Sequence, residues 1–206
     1  MENKGILIVV SGFAGSGKGT IMNELLKNYD NYALSISATT RQPRGTEVNG
    51  KEYFFKTREE FEKMIAQDEL IEYARYVENY YGTPKEYVEN QLAAGKDVIL
   101  EIEVQGALQV KEKFPETLLL FVTPPSATIL KERLVGRGTE TMDVVELRMK
   151  RAAEEAEAMN KYDYLVINDD LDTCVKEVHN IIQGAHHRTN CNTLFISKIQ
   201  NELKDL

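Results

Sequence analysis

Cysteine is nearly absent: Cys174 and Cys191 are the two thiols among 206 residues. They are too few for a disulfide framework and lack metal-ligand spacing, so the chain reads as a reduced, cytosolic protein. Long apolar runs are missing as well. The early run at residues 5–10 (GILIVV) is too short to span a membrane and lacks the flanks of a signal peptide. Basic residues are outnumbered, 25 against 33 acidic ones, for a net charge of −8. That balance argues against a broad basic face for nucleic acid, although a few local cations suffice for a small phosphorylated ligand. The three histidines, His179, His186 and His187, form no triad with a serine or cysteine. His179 falls on one helical face with Val175, Val178 and Ile182 and reads as a packing residue. There are no repeats or low-complexity segments, and the sequence is silent on oligomeric state.

What is present is an ordinary globular balance, 42% apolar and 28% charged. Residues 5–10, 97–102, 118–122 and 164–167 are short, nearly continuous apolar runs, with a weaker candidate at 33–37. Such runs predict strands buried on both faces of a parallel sheet. Helical patterns lie between them, at about residues 18–27, 85–94, 106–113, 127–135, 144–159 and 171–185. The alternation predicts an α/β fold with a doubly wound parallel core. Residues from about 38 to 94 break the rhythm with turn chemistry (Arg44-Gly45, Asn49-Gly50), short aromatic strands and one marked helix. Thr57 and Glu60 form a capping box for that helix, with Phe61, Met64 and Ile65 on its buried face. This stretch reads as a small α+β lobe inserted into the core. The tail after about residue 186 is polar with a weak helical pattern.

The first run leads into Ser11-Gly12-Phe13-Ala14-Gly15-Ser16-Gly17-Lys18-Gly19-Thr20. Its centre is G-x-x-x-x-G-K, between a strand and a helix. Glycines let backbone N–H groups converge on phosphate oxygens, and the helix that follows points its positive end at the same anion. Lys18 adds a mobile cation near the β- and γ-phosphates. One departure stands out. Gly19 takes the place after the lysine where a serine or threonine commonly ligates Mg²⁺, so the ion would be held through water and substrate phosphates.

Further strings follow: Ser37-Ala38-Thr39-Thr40-Arg41-Gln42-Pro43-Arg44, Gly50-Lys51-Glu52-Tyr53-Phe54-Phe55, Leu70-Ile71-Glu72-Tyr73, Asn79-Tyr80-Tyr81-Gly82-Thr83, Glu101-Ile102-Glu103-Val104-Gln105-Gly106, Arg137-Gly138-Thr139-Glu140-Thr141 and Asn168-Asp169-Asp170. Together with the loop they resemble the guanylate kinases over about residues 5–170. The resemblance implies a P-loop core (1–37 and 95–206), a GMP-binding lobe (about 38–94) and a short lid (about 137–147). It implies transfer of a phosphoryl group from ATP to GMP, with Mg²⁺, in purine nucleotide metabolism.

The implied roles run as follows. Residues Gly12 to Thr20 (Gly12, Phe13, Ala14, Gly15, Ser16, Gly17, Lys18, Gly19, Thr20) and Asn168 would bind ATP. A turn-forming role competes for Asn168. Arg41 and Arg44 would clamp the acceptor phosphate, a task that guanidinium forks suit; two solvated surface arginines are the competing reading. Tyr53 and Tyr81 would add hydroxyl donors, against a core or interface role. Glu72 and Glu103 would read guanine, whose N1–H and N2–H₂ donors need an acceptor-only partner. The family often has aspartate at the second position. Ser37 and Thr83 would serve O6 and the ring nitrogens. Arg137 and Arg148 would close over the ATP phosphates, with Arg133 and Arg151 nearly as eligible. Glu101 would face Mg²⁺ or Lys18, or form a structural salt bridge. The rivals are a kinase of another monophosphate and a non-catalytic module that binds phosphorylated protein segments. An intact Lys18 loop disfavours the module, and no N-K-x-D string suggests a GTPase.

Overall fold

The computed structural model describes residues 4–76, 78–136, 138 and 141–205. Five strands form one parallel sheet: β1 (Leu7–Gly12), β2 (Tyr32–Leu34), β7 (Asp97–Glu101), β8 (Leu118–Thr123) and β9 (Tyr164–Ile167), in the order β2-β7-β1-β8-β9. The phosphate loop therefore leaves the central strand. Period-2 alternation sends Ile8 and Val10 to one face and Val9 to the other. Ile8 and Val10 pack with Leu118, Leu120 and Val122 under α1 (Lys18–Asn28) and α7 (Leu171–Ala185). Val9 packs with Val98, Leu100 and Leu119 under α3 (Lys85–Ala93) and α4 (Val104–Lys113). Phe13 and Phe121 pack beneath α5 (Ala127–Gly136) and α6 (Met142–Ala156).

Two apolar runs depart from expectation. Residues 164–167 form an edge strand, with Val166 fully buried but Leu165 48% and Ile167 52% exposed. An edge has a neighbour on one side only, so an apolar run there need not be covered on both faces. The weak candidate at 33–37 contributes a strand at Tyr32–Leu34 alone.

The inserted lobe has its own sheet, β3 (Ala38–Thr39), β4 (Phe54–Phe55), β5 (Leu70–Tyr76) and β6 (Asn79–Pro84), in the order β4-β3-β6-β5. β5 and β6 pair antiparallel with a register shift between Leu70 and Tyr73. The helix α2 (Arg58–Ala66) starts on the expected capping box: Thr57 Oγ1 accepts from Glu60 N–H at 3.1 Å, and Glu60 Oε2 accepts from Thr57 N–H at 2.7 Å. Phe61, fully buried, packs with Ala38 and Leu70. The chain returns to the core through α3, where Val88 joins the cluster under the main sheet. The tail ends in α8 (Thr193–Glu202). Among the described residues no helix is long and apolar enough to cross a membrane.

Candidate functional site

The phosphate loop depends on backbone that only glycine adopts easily. Gly12 and Gly17 have φ of 150° and 94°, and a Cβ on Gly12 would lie 2.1 Å from the Val122 carbonyl oxygen. Gly17 is the N-cap of α1, so the open N–H groups of the first turn face the loop. Lys18 Nζ donates to the carbonyls of Gly12 (2.6 Å) and Phe13 (3.1 Å), folding over the loop. Ser16 Oγ is buried with no hydrogen-bond partner among the described residues, which suits a hydroxyl aimed at a ligand. Ala14 and Gly15 complete the turn, and Gly19 and Thr20, in the first turn of α1, are exposed.

Asn168, just past β9, braces this loop. Its side-chain amide donates to the Ser16 carbonyl at 2.8 Å, and Arg133 donates to the Asn168 carbonyl at 2.9 Å. A Cβ on Gly17 would come within 2.3 Å of that amide. The side chain thus holds the turn of the phosphate loop, a use that sequence reasoning did not consider. Arg148 is half-buried on α6, whereas Arg137 lies outside the described residues.

Glu101 ends β7 beside Gly19, whose Cβ would lie 3.9 Å from the carboxylate. Its side chain reaches solvent, yet desolvation in the cleft pushes its carboxyl up, opposed by Lys18. Glu155 on α6 is raised in the same way, first by burial, then by Glu103. Among the described residues no three acidic, histidine or cysteine groups gather as a metal cage.

On the lobe, β3, β4 and β6 bring a second polar group together. The Arg41 side chain, 10% exposed, sits 5.2 Å from the Tyr53 ring centroid and 5.8 Å from that of Phe55. Tyr53 and Tyr81 meet edge to face at 6.2 Å. Glu47, which sequence reasoning missed, accepts from Arg41 Nη1 and Nη2, both at 2.9 Å, and from the Arg44 backbone N–H at 2.7 Å. Arg41 Nη1 also donates to the Gln42 carbonyl at 2.8 Å. Those contacts engage three of the five guanidinium donors, and the Tyr81 hydroxyl also interacts with the guanidinium. Glu47 raises the pKa of Arg41 above its ordinary value, and Arg41 holds the Glu47 carboxyl below the usual carboxylate range. The available signal was an acidic residue inside a basic loop, three positions after Arg44. The Arg44 side chain is exposed.

Glu72 on β5 is 6% exposed, and Thr83 Oγ1 on β6 donates to it at 2.8 Å. Burial pushes its carboxyl up, with Thr83 and Lys113 opposing. Gly106, in the first turn of α4, gives the carboxylate room: a Cβ there would lie 3.1 Å from Glu72 Oε2. An ionised carboxylate cannot donate, so Thr83 must. That proton is engaged by Glu72 in this structure. Glu103 stands at the N-cap of α4, 71% exposed, paired with Arg151 at 2.9 Å. Ser37 is half-buried just before β3, and its carbonyl accepts from Phe54 N–H at 2.9 Å.

Comparison with known proteins bears on these two groups. The family model for guanylate kinase matches residues 4–185. The chain belongs to the guanylate kinase family. It is 54% identical over 185 residues to the guanylate kinase of Halalkalibacterium halodurans, covering 90% of this chain and 91% of the relative. With that of Caldanaerobacter subterraneus subsp. tengcongensis it shares 48% over 202 residues, 98% of each chain. The crystal structure of guanylate kinase from Anaplasma phagocytophilum superposes with a TM-score of 0.71 at 32% identity, covering 91% of this chain and 89% of that one. The doubly wound core with its inserted lobe is thus the guanylate kinase fold. The matched residues include both the glycine loop and the Arg41 group.

Proposed function

We propose that this chain transfers a phosphoryl group from ATP to GMP, giving ADP and GDP. One observation carries the reading. The chain carries two groups of different build that suit anions, the glycine loop with Lys18 and the Arg41–Tyr53–Tyr81 group, and the second stands on the lobe sheet with the buried carboxylate Glu72. A hydrolase needs one phosphate site; a phosphotransferase between nucleotides needs two and a means of reading the acceptor base.

The chemistry asks little covalent work of the protein. An oxygen of the GMP phosphate, already deprotonated, attacks the γ-phosphorus in line while the bond to the bridging β-oxygen breaks, so no general base is required. Lys18 follows the migrating charge. Arg41 and Arg44 hold the acceptor phosphate, and Tyr53 and Tyr81 add hydroxyls. Glu72 and Glu103 accept from guanine N1–H and N2–H₂, a pattern adenine does not offer. Arg137 and Arg148 belong to the lid side and neutralise the donor phosphates. The donor set fits a hard cation held mostly by phosphates and water: the Glu101 carboxylate lies beside Gly19, and among the described residues no cage of acidic, histidine or cysteine groups competes. Mg²⁺ bound there would supply charge neutralisation on the β- and γ-oxygens. Closing the lobe (about 38–94) and the lid (about 137–147) on the core excludes water and limits ATP hydrolysis. A cytoplasmic setting suits these substrates and the two free thiols.

Two variants test the division of labour. Lys18→Ala lowers kcat on the order of 10²–10³-fold, the usual loss for one charge-stabilising donor. Arg41→Ala raises KM for GMP on the order of 10-fold or more and leaves KM for ATP near its wild-type value. Steady-state kinetics with each substrate varied in turn reads both, and an Arg41→Ala variant that shifts the two KM values equally would contradict the assignment.

A further inference from the structure

Helix α6 carries two arginines, Arg148 and Arg151, three residues apart and so on neighbouring positions of one face. Arg151 reaches out of the helix to the N-cap of α4. Its Nη2 donates to Glu103 Oε2 at 2.9 Å, a contact across 48 residues of sequence, and its Nε donates to Glu155 Oε1 at 3.1 Å. Glu155 is 13% exposed and fixed one turn further along the same helix, so it sets the direction of the guanidinium. Glu103, by contrast, is 71% exposed on the junction between β7 and α4. Without a partner such a side chain samples several rotamers and presents no fixed acceptor. With Oε2 held by Arg151, Oε1 is the oxygen left to face a base.

We propose that Arg151 is a positioning residue that couples recognition of guanine to the donor-phosphate side of the cleft. It holds Glu103 for the base, and it stands on the helix whose Arg148 serves the donor phosphates. A purine engaged at Glu103 and a triphosphate engaged at Arg148 therefore bias one rigid element, and each tightens the other. The inference rests on the ATP-and-GMP reading of the cleft. Exposed ion pairs contribute little to fold stability, so the expected signature is a change in coupling with an unchanged melting temperature.

The test is calorimetric titration of GMP into the protein with and without a non-hydrolysable ATP analogue and Mg²⁺, for wild type, Arg151→Ala and Arg151→Lys. Wild type binds GMP about 5-fold or more tightly in the presence of the analogue. In Arg151→Ala that ratio falls toward unity and KM for GMP rises, while thermal melting matches wild type. Arg151→Lys, able to keep one contact but not the fork, falls between. A wild-type ratio retained in a normally melting Arg151→Ala overturns the proposal. If Arg151→Ala melts early, the Arg151→Lys ratio decides: an intermediate value supports the coupling and a wild-type value overturns it. Wild-type protein that binds no GMP at all removes the underlying reading together with the inference, an outcome separate from any variant result.

Discussion

At neutral pH the Glu72 carboxyl faces two opposing demands. In the proposed role guanine needs it ionised, whereas burial favours the protonated form and raises its pKa above the ordinary value. The sign for stability follows. A raised folded-state pKa means that the folded chain holds the proton more tightly than the unfolded one. The stabilisation is complete below the unfolded pKa of about 4.3 and is lost as pH rises through the folded value. At pH 7 Glu72 is therefore a net cost to the fold. Glu72→Gln, which still accepts from Thr83, leaves the melting temperature at pH 7 unchanged or higher. The same change lowers kcat/KM for GMP on the order of 10–100-fold, because a neutral acceptor is weaker and the new NH₂ opposes guanine's donors. Melting and kinetics on one preparation check both directions. In wild type the acid limb of kcat/KM for GMP begins above the pH expected of an exposed glutamate.

At the scale of elements, the phosphate loop is held from outside as well as by its glycines. Asn168 at the end of β9 ties Ser16 from 152 residues away, and Arg133 on α5 ties Asn168. Asn168→Ala removes the shorter of two contacts to the Ser16 carbonyl and leaves the long one from Arg133 Nη1 at 3.5 Å. KM for ATP is expected to rise on the order of 10-fold, with KM for GMP little changed. Bisubstrate kinetics would show the split; an equal rise in both would mean a general loosening of the fold. This brace marks where sequence reading ends. The glycine loop, the capping box at Thr57 and the central strands were legible because local spacing alone specifies them. The partners of Asn168, the engagement of Thr83 by Glu72, the pairing of Glu47 with Arg41 and the exposure of Leu165 and Ile167 were not. Each depends on which segments the fold brings alongside, and a sequence pattern carries no such neighbour information. The resemblance to the guanylate kinases supplied roles for residues such as Tyr53 and Glu103 that their own surroundings in sequence left open.

For the whole molecule, the core is fastened at the far end of the chain. Asp97, 2% exposed at the start of β7, accepts from Ile6 N–H at 2.9 Å and pairs with His186 Nε2 at 2.9 Å, just past α7. One carboxylate thus joins the N-terminal segment, the sheet and the last core helix. His186→Ala removes a partner from a buried acceptor, at a cost of about 1–2 kcal/mol. For a chain of this size that lowers Tm by about 2–8 °C without altering KM for either nucleotide. Differential scanning calorimetry with parallel kinetics reads it, and an unchanged Tm would show that Ile6, Asn31 (Nδ2 to Oδ2 3.3 Å) and water satisfy Asp97 without the histidine.

The central claim is that one cleft receives ATP on the glycine loop and a guanine nucleotide on the lobe. ADP release from Mg-ATP with GMP, dGMP, AMP, UMP or no acceptor tests it most directly, read as kcat/KM for each acceptor. The account predicts turnover with GMP, kcat/KM lower on the order of 10⁴-fold with AMP and UMP, and near-silence without acceptor, since a mismatched base leaves buried polar groups unpaired. Comparable or faster turnover with AMP or UMP would contradict the roles given to Glu72 and Glu103, and silence with every acceptor in a folded, ATP-binding protein would contradict phosphoryl transfer itself.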